Sequence, residues 1–175
     1  MKRSIDLEKE AVIDVAQLMA AAARTAPKTR GIDNIEIIAI DDEETKDRLI
    51  RKMRELSISE KRPSLERDAN AIAGSHVILV VGVKSKPGGL NCGFCGYRTC
   101  EELQSTKGIC AYNSIDLGIA VSSAISIASQ FHIDNRVMYS IGLATLELKL
   151  FSENMKQALG IPLSVSGKNP FFYRK

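Results

Sequence analysis

The chain has 175 residues with 24 basic and 21 acidic side chains, which give a net charge of +3 at pH 7. A chain of this length buries about 70% of its unfolded surface, so its core needs no covalent cross-links. The basic residues are spread along the chain, which argues against a nucleic-acid partner. The N-terminal segment is charged, and no apolar run approaches the roughly 18 residues of a membrane span. We therefore expect a soluble, cytoplasmic protein with no nucleic-acid or membrane partner.

Helices and strands alternate in the first half of the chain. The elements predicted there are a helix over 7–24, a strand over 34–40, helices after Asp42 and over 64–73, and a strand over 76–83. Ala26-Pro27 ends the first helix, and Asp41 and Asp42 are typical of the start of the second. The last strand, HVILVVGV, is apolar throughout and rich in β-branched residues, so it should be buried on both faces.

The second half of the chain is predominantly helical by its pattern. NSIDLGIAVSSAISIASQF (113–131) is apolar or small almost all round, which predicts a helix buried in a core or at a subunit interface, with Asn113 or Ser114 as its cap. Segment 135–150 has helical spacing but could contain a strand. SENMKQALGIPL (152–163) predicts a helix that ends at Gly160. With no internal repeat, we expect one α+β domain over 1–175, with a cysteine-rich insertion over 86–112.

All four cysteines lie in that insertion, as Cys92, Cys95, Cys100 and Cys110, a C-x2-C-x4-C-x9-C arrangement. A reducing compartment disfavours disulfides and favours metal or redox chemistry. Glycines follow the first two cysteines and permit the backbone angles that wrap an inorganic cluster. Four thiolates also satisfy zinc. The spacing thus favours an iron-sulfur cluster, leaves zinc as an alternative, and does not separate 2Fe-2S from 4Fe-4S.

The string GGLNCGFCGYRTC is similar to the G-x-NCGxCGYxxC motif of the 4Fe-4S domains in electron-transport complex subunits and corrinoid iron-sulfur proteins. The resemblance implies that Cys92, Cys95, Cys100 and Cys110 all ligate one 4Fe-4S cluster. The interval before Cys110 is shorter than is usual in those domains.

A wider resemblance covers nearly the whole chain. The strings that carry it are AARTAPKTRGIDNIE, GGLNCGFCGYRTCEEL, DLGIAVSSA, HIDNRVMYSIGLA and GIPLSVSGKNPFFYRK. Together they resemble the uncharacterised family of ferredoxin-domain-containing proteins from anaerobic bacteria and archaea. This likeness implies a cluster-bearing protein whose reaction is unknown.

The first part of the chain also resembles the nitroreductase superfamily of flavoproteins. Its A-R-x-A-P-S turn is matched by Ala23, Arg24, Ala26 and Pro27, with Lys28 in place of the serine, and LGIP near the C-terminus is similar to its L-G-x-P turn. The resemblance implies a nitroreductase-like three-layer α+β domain, a homodimer, and FMN bound across the subunit interface. The helix at 113–131 could supply that interface.

Five residues are candidate flavin contacts: Arg24, Thr25, Lys28, Arg30 and Lys168. Their cations could attract a phosphate. An alternative use is open to them, because Arg and Lys near a helix C-terminus cap its free carbonyls. The superfamily's R-R-S-x-R phosphate motif is only half present, and Asp6 stands where the final arginine should be. A carboxylate there would repel a phosphate.

These observations favour a redox protein that passes single electrons from a 4Fe-4S cluster. The acceptor would be a flavin that serves an unknown small substrate, as in an oxidoreductase of the nitroreductase type, or a separate redox partner protein. A non-enzymatic electron carrier or redox sensor is the second hypothesis, and a zinc-stabilised binding module is the third. The sequence assigns no catalytic residue.

Overall fold

The structure, a computed structural model, describes residues 1–152 and 155–172. Its helices are α1 (Ser4–Thr25), α2 (Glu43–Ser59), α3 (Pro63–Ile72), α4 (Cys100–Ser105), α5 (Ala111–Gln130) and α6 (Tyr139–Glu147), and a 3-10 turn spans Thr29–Gly31. Its strands are β1 (Ile35–Ile40), β2 (Val77–Lys84), β3 (Asp134–Asn135) and β4 (Met155–Ser164). Among the described residues, no helix combines the length and apolar character needed to cross a membrane.

The four strands form one antiparallel sheet in the order β1-β2-β4-β3. Strand β2 is central: it pairs with β1 on one side and with β4 on the other. Its residues from Val77 to Val83 are all buried, as the continuous apolar run predicted. Because β2 is hydrogen-bonded along both edges and covered on both faces, it forms the centre of the fold.

Side chains of β2 alternate between two hydrophobic cores. Leu79 and Val81 pack into the core that contains residues of α1 and α5. Ile78 and Val80 point the other way, into the core that contains residues of α2, α3 and α6. The alternation follows from the two-residue period of a strand. Helices therefore cover both faces of the sheet, and the predicted three-layer α+β architecture is confirmed.

The helix predicted over 152–163 is wrong. Residues 153 and 154 lie outside the described residues, and the segment from Met155 onward is strand β4. Gly160 does not end a helix but lies beneath α6, where a Cβ atom would come within 2.1 Å of Ile141 Cγ2. The glycine is required by this close approach, and the pairing of β4 with β2 overrides the local helical pattern.

Segment 135–150, whose pattern allowed a helix or a strand, contains the end of a short strand and a helix. Residues Asp134–Asn135 form β3, which pairs with the end of β4, and α6 follows at Tyr139. Helix α5 begins earlier than predicted, at Ala111, so Cys110 occupies its N-cap position in place of Asn113 or Ser114. This shift places one cysteine at the junction between the insertion and the packed core.

Candidate metal centre

The cysteine loop, defined here as residues 85–110, connects the end of β2 to the start of α5. Its two ends are held together at the sheet. Asn113 Nδ2 donates a hydrogen bond to the carbonyl oxygen of Lys84 at 2.9 Å, and Ser85 Oγ donates to the carbonyl oxygen of Gly108 at 3.4 Å. The loop therefore leaves and rejoins the fold at one place.

The backbone of the loop is left-handed beside the first two cysteines. The angle φ is 47° at Asn91, 76° at Gly93 and 85° at Gly96, and the Gly96 N–H donates to the Gly93 carbonyl oxygen at 2.9 Å. Only glycine adopts such angles at no steric cost, and Asn is among the few other residues that tolerate them. The glycines after Cys92 and Cys95 thus make the tight turns for which the sequence analysis selected them.

Helix α4 fixes the position of Cys100. Thr99 is its N-cap, and the Thr99 Oγ1 accepts a hydrogen bond from the Glu102 N–H at 3.1 Å. The N–H of Cys100 donates to Asn91 Oδ1 at 2.7 Å. Cys100 therefore begins a helical turn whose first residue is tied back to the start of the cysteine motif.

The four thiols differ in their burial. Cys92 is exposed, Cys95 and Cys100 are half-buried, and Cys110 is buried with 5% of its surface accessible. None forms a disulfide. Three thiols thus belong to the exposed part of the loop, and the fourth belongs to the edge of the core.

An aromatic pair joins the exposed part of the loop to helix α5. The rings of Phe94 and Tyr112 are stacked, with centroids 5.5 Å apart and an interplanar angle of 15°. Tyr112 lies two residues beyond Cys110, and Phe94 lies between Cys92 and Cys95. The stack brings the first two cysteines to the side of the molecule where Cys110 lies.

The donor set fits an iron-sulfur cluster in its chemistry. It offers four free thiols on a backbone with the left-handed turns described above, and iron-sulfur clusters are held by cysteine thiolates. Across residues 1–152 and 155–172, no three His, Cys, Asp or Glu side chains are already arranged to hold a metal ion. All four free thiols lie on the one segment that joins β2 to α5.

The candidate flavin contacts Arg24 and Lys28 are engaged at the end of α1. Lys28 Nζ donates to the carbonyl oxygens of Ala23, Arg24 and Ala26 at 3.0, 3.0 and 2.6 Å. Arg24 Nη1 donates to Asp33 Oδ2 at 2.5 Å and to the Ile35 carbonyl oxygen at 2.8 Å. Desolvation by burial lowers the pKa of Lys28. Lys28 thus takes the capping use that the sequence left open, whereas Arg24 pairs with the Asp33 carboxylate and with the first residue of β1.

The other candidate flavin contacts are dispersed. Thr25 Oγ1 bonds to carbonyl oxygens of its own helix, and Lys168 lies in an exposed bend after β4. Arg30 Nη1 donates to the Gly88 carbonyl oxygen at 2.8 Å, which ties the turn after α1 to the cysteine loop.

Asp6, which stands where the phosphate motif has its final arginine, accepts a hydrogen bond from the N–H of Arg3 and caps α1. The Asp6 carboxylate is therefore part of the N-terminal cap of α1.

Three residues that the sequence analysis did not single out contribute to the region. They are Asn91, Tyr112 and the buried Asp116, whose Oδ1 accepts from Thr29 N–H and Thr29 Oγ1 at 3.0 and 2.8 Å. The T-x-x-E string at Thr99 is a visible capping signal. The Asn91, Tyr112 and Asp116 contacts have no such signal, because each depends on how distant segments meet in the fold.

Comparison of the sequence with known families and proteins gives two matches. Residues 106–174 match the family described as "Uncharacterized protein containing a ferredoxin domain (DUF2148)". An uncharacterized protein from Archaeoglobus fulgidus is 38% identical over 178 residues, which cover 97% of this chain and 95% of that protein.

Comparison with solved structures identifies the fold. A nitroreductase with bound FMN from Desulfitobacterium hafniense has a TM-score of 0.63 at 16% identity, over 89% of this chain and 78% of that one. A second nitroreductase with bound FMN, from Bacteroides fragilis, has a TM-score of 0.64 at 12% identity, over 93% and 81% of the two chains. The fold is nitroreductase-like, as the A-R-x-A-P turn predicted.

Proposed function

This chain belongs to the family of uncharacterized proteins containing a ferredoxin domain, and we propose that it binds one 4Fe-4S cluster and transfers electrons. The observation that carries the proposal is the set of four free thiols on a loop with left-handed turns at Asn91, Gly93 and Gly96. Cys92, Cys95, Cys100 and Cys110 would hold the cluster. When bound, such a cluster supplies one-electron chemistry.

The residues of the loop suit this role in two ways. Cys110 is buried at the start of α5, so it offers a thiolate anchored to the core, whereas Cys92 is exposed and open to an electron partner. The stacked rings of Phe94 and Tyr112 place aromatic surface next to the first two cysteines, and the apolar surroundings of a cluster are one of the factors that set its potential. The proposal places the protein in the cytoplasm, where thiols remain reduced.

Flavin binding remains a prediction. Nitroreductases of similar fold carry FMN, but in this chain the side chains of Arg24 and Lys28 are committed to carbonyl and carboxylate oxygens. Without flavin, the cluster-bearing protein would be an electron carrier or a redox sensor that acts on a partner protein.

We also propose a homodimer that forms through the outer face of α5. Within Ala111–Gln130 the single Asp, Glu, Lys or Arg residue is Asp116, and it is buried. Ile115 and Ile119 lie one turn apart and are 43% and 38% exposed. A solvated helix face normally carries charge, and uncharged faces with exposed aliphatic residues are typical of interfaces.

The test of the cluster is the composition of the full chain purified without oxygen. We expect about four iron atoms and about four acid-labile sulfides per chain. We also expect a broad absorption band in the violet part of the visible spectrum. Zinc in place of iron and sulfide would overturn the cluster and support the zinc-stabilised module. Acid extraction followed by flavin fluorescence decides between the flavoenzyme and the carrier or sensor, because only the flavoenzyme releases FMN.

The test of the dimer is sedimentation of the wild-type chain and of Ile119→Asp. We expect the wild type to sediment as a dimer and I119D to shift toward the monomer, since a carboxylate in an apolar interface is desolvated without a partner. Ile58→Asp is the matched control, because Ile58 is also an exposed helical isoleucine but lies in α2. A monomeric wild type, or equal behaviour of the two variants, would contradict this interface.

A further inference from the structure

Two side-chain contacts of the cysteine loop lie directly beside its cysteines without involving a thiol, the Asn91–Cys100 hydrogen bond and the Phe94–Tyr112 stack. We propose that Asn91 and Phe94 are positioning residues that hold the loop for assembly of the metal centre. The inference rests on the proposed function, because it assigns these residues a role toward the same cluster.

Asn91 closes the loop that carries the first three cysteines. Its Oδ1 reaches across nine positions to accept the N–H of Cys100 at 2.7 Å, while its own backbone is left-handed with φ of 47°. The position thus needs a short side-chain acceptor on a residue that tolerates a positive φ. Asn and Asp meet both needs, Gly meets only the second, and Ala meets neither.

Phe94 joins the closed loop to the fourth cysteine. It is 67% exposed, so the packing of the two hydrophobic cores does not depend on it, and neither core contains it or Tyr112. Its ring partner Tyr112 lies at the start of α5, two residues after Cys110. The stack therefore links the Cys92–Cys95 segment to α5, the helix whose N-cap is Cys110.

Together the two contacts reduce the conformational cost of binding. Metal binding fixes the positions of the four cysteines, and ordering a free loop costs conformational entropy for every residue fixed. A loop already closed by Asn91 and already docked by Phe94 has less freedom to lose, which is the usual effect of preorganisation. Loss of either contact should weaken retention of iron without unfolding the domain.

The experiment uses the full chain, loaded with ferrous iron and sulfide under anaerobic conditions and then challenged with an iron chelator. Asn91→Gly keeps the left-handed backbone but removes the acceptor, and Asn91→Asp restores the acceptor. Phe94→Ala removes the stack, and Tyr112→Phe keeps it. We expect N91G and F94A to lose iron about tenfold faster than wild type, the usual scale for groups that support metal ligands, and N91D and Y112F to remain within about threefold of it.

Thermal unfolding of the metal-free variants and the electron paramagnetic resonance spectrum of the reduced protein complete the test. Unchanged unfolding with an altered spectrum in N91G, restored in N91D, would support a positioning role. Retention of iron by N91G and F94A at the wild-type rate would overturn this inference alone. Failure of the wild type to take up iron and sulfide would overturn the proposed function and this inference with it.

Discussion

Strand β2 and the cysteine loop are adjacent in the chain but are stabilised in different ways. Strand β2 is paired along both edges and buried on both faces, so the packing of several elements determines every position in it. The loop is mostly exposed, has left-handed turns, and is held by a few side-chain hydrogen bonds and one ring stack. The candidate metal ligands therefore lie largely where the fold does not depend on them.

The largest effect is expected where α6 packs on β4. A Cβ atom at Gly142 would lie 1.8 Å from the Ala158 carbonyl oxygen, and strand backbone cannot move aside cheaply. We expect Gly142→Ala to lower the free energy of unfolding by about 3 kcal/mol or more, at the upper end for overpacking. Urea denaturation of the metal-free protein measures the change.

Gly74→Ala is the control for this substitution, because a Cβ atom there meets nothing within 4 Å. Its effect should stay within about 0.5 kcal/mol, as for surface substitutions in general. Equal stability of G142A and G74A would contradict the prediction, because it would mean that the contact between α6 and β4 accommodates a Cβ atom as readily as the exposed site at Gly74 does.

An intermediate effect is expected at Cys110, the buried cysteine at the end of the loop. In the metal-free protein, Cys110→Ser places a hydroxyl at a site that is 5% exposed, so we expect a loss of about 1–2 kcal/mol in the free energy of unfolding. Cys92→Ser is the matched change at an exposed site and should alter stability by less than about 0.5 kcal/mol.

The same two variants separate stability from ligation. Each should also remove or degrade the cluster in the loaded protein, as judged by iron and sulfide content. An unchanged iron content in C110S would remove Cys110 from the ligand set and leave it as a core residue.

A smaller effect than at Cys110 is expected at the surface ion pair of Arg24 and Asp33, beside the turn that carries Arg30 toward the loop. Burial acts to raise the pKa of Asp33, but hydrogen bonds from Arg24 and from the Ile35 N–H hold this pKa below its ordinary value. Asp33→Asn should lower stability at pH 7 by less than about 1 kcal/mol, since the pair is partly exposed and screened by solvent.

The pH dependence of this difference has a defined sign. Because the pKa of Asp33 is depressed in the folded state, the stabilisation is fully present above the pKa of about 4 of an unfolded Asp, and it is lost as the pH falls through the folded value. Unfolding measured for wild type and D33N between pH 7 and pH 2 should show two curves that converge at the acid end. A difference that persisted or grew there would contradict the assignment.

Much of the architecture could be predicted from local patterns. The continuous apolar run of β2 predicted its double burial, Pro27 predicted the end of α1, and Asp42 predicted the start of α2, where its side chain accepts the Thr45 N–H. The helix predicted over 152–163 was wrong because these residues suit a helix locally. In the fold, residues 155–164 pair with the edge of β2 and contact α6 closely at Gly160, so they form a strand. Strand pairing is a long-range interaction that a local pattern does not contain.

Cysteine spacing and glycine placement are local features of the chain, so they were enough to identify the candidate ligands and the turns around them. How those ligands are presented depends on the tertiary structure. It buried Cys110 at the start of α5, stacked Phe94 on Tyr112, and engaged Arg24 and Lys28 with nearby oxygen atoms. These contacts join residues that are brought together by the packing of helices and loops on the sheet, and the energy of that packing depends on the whole chain.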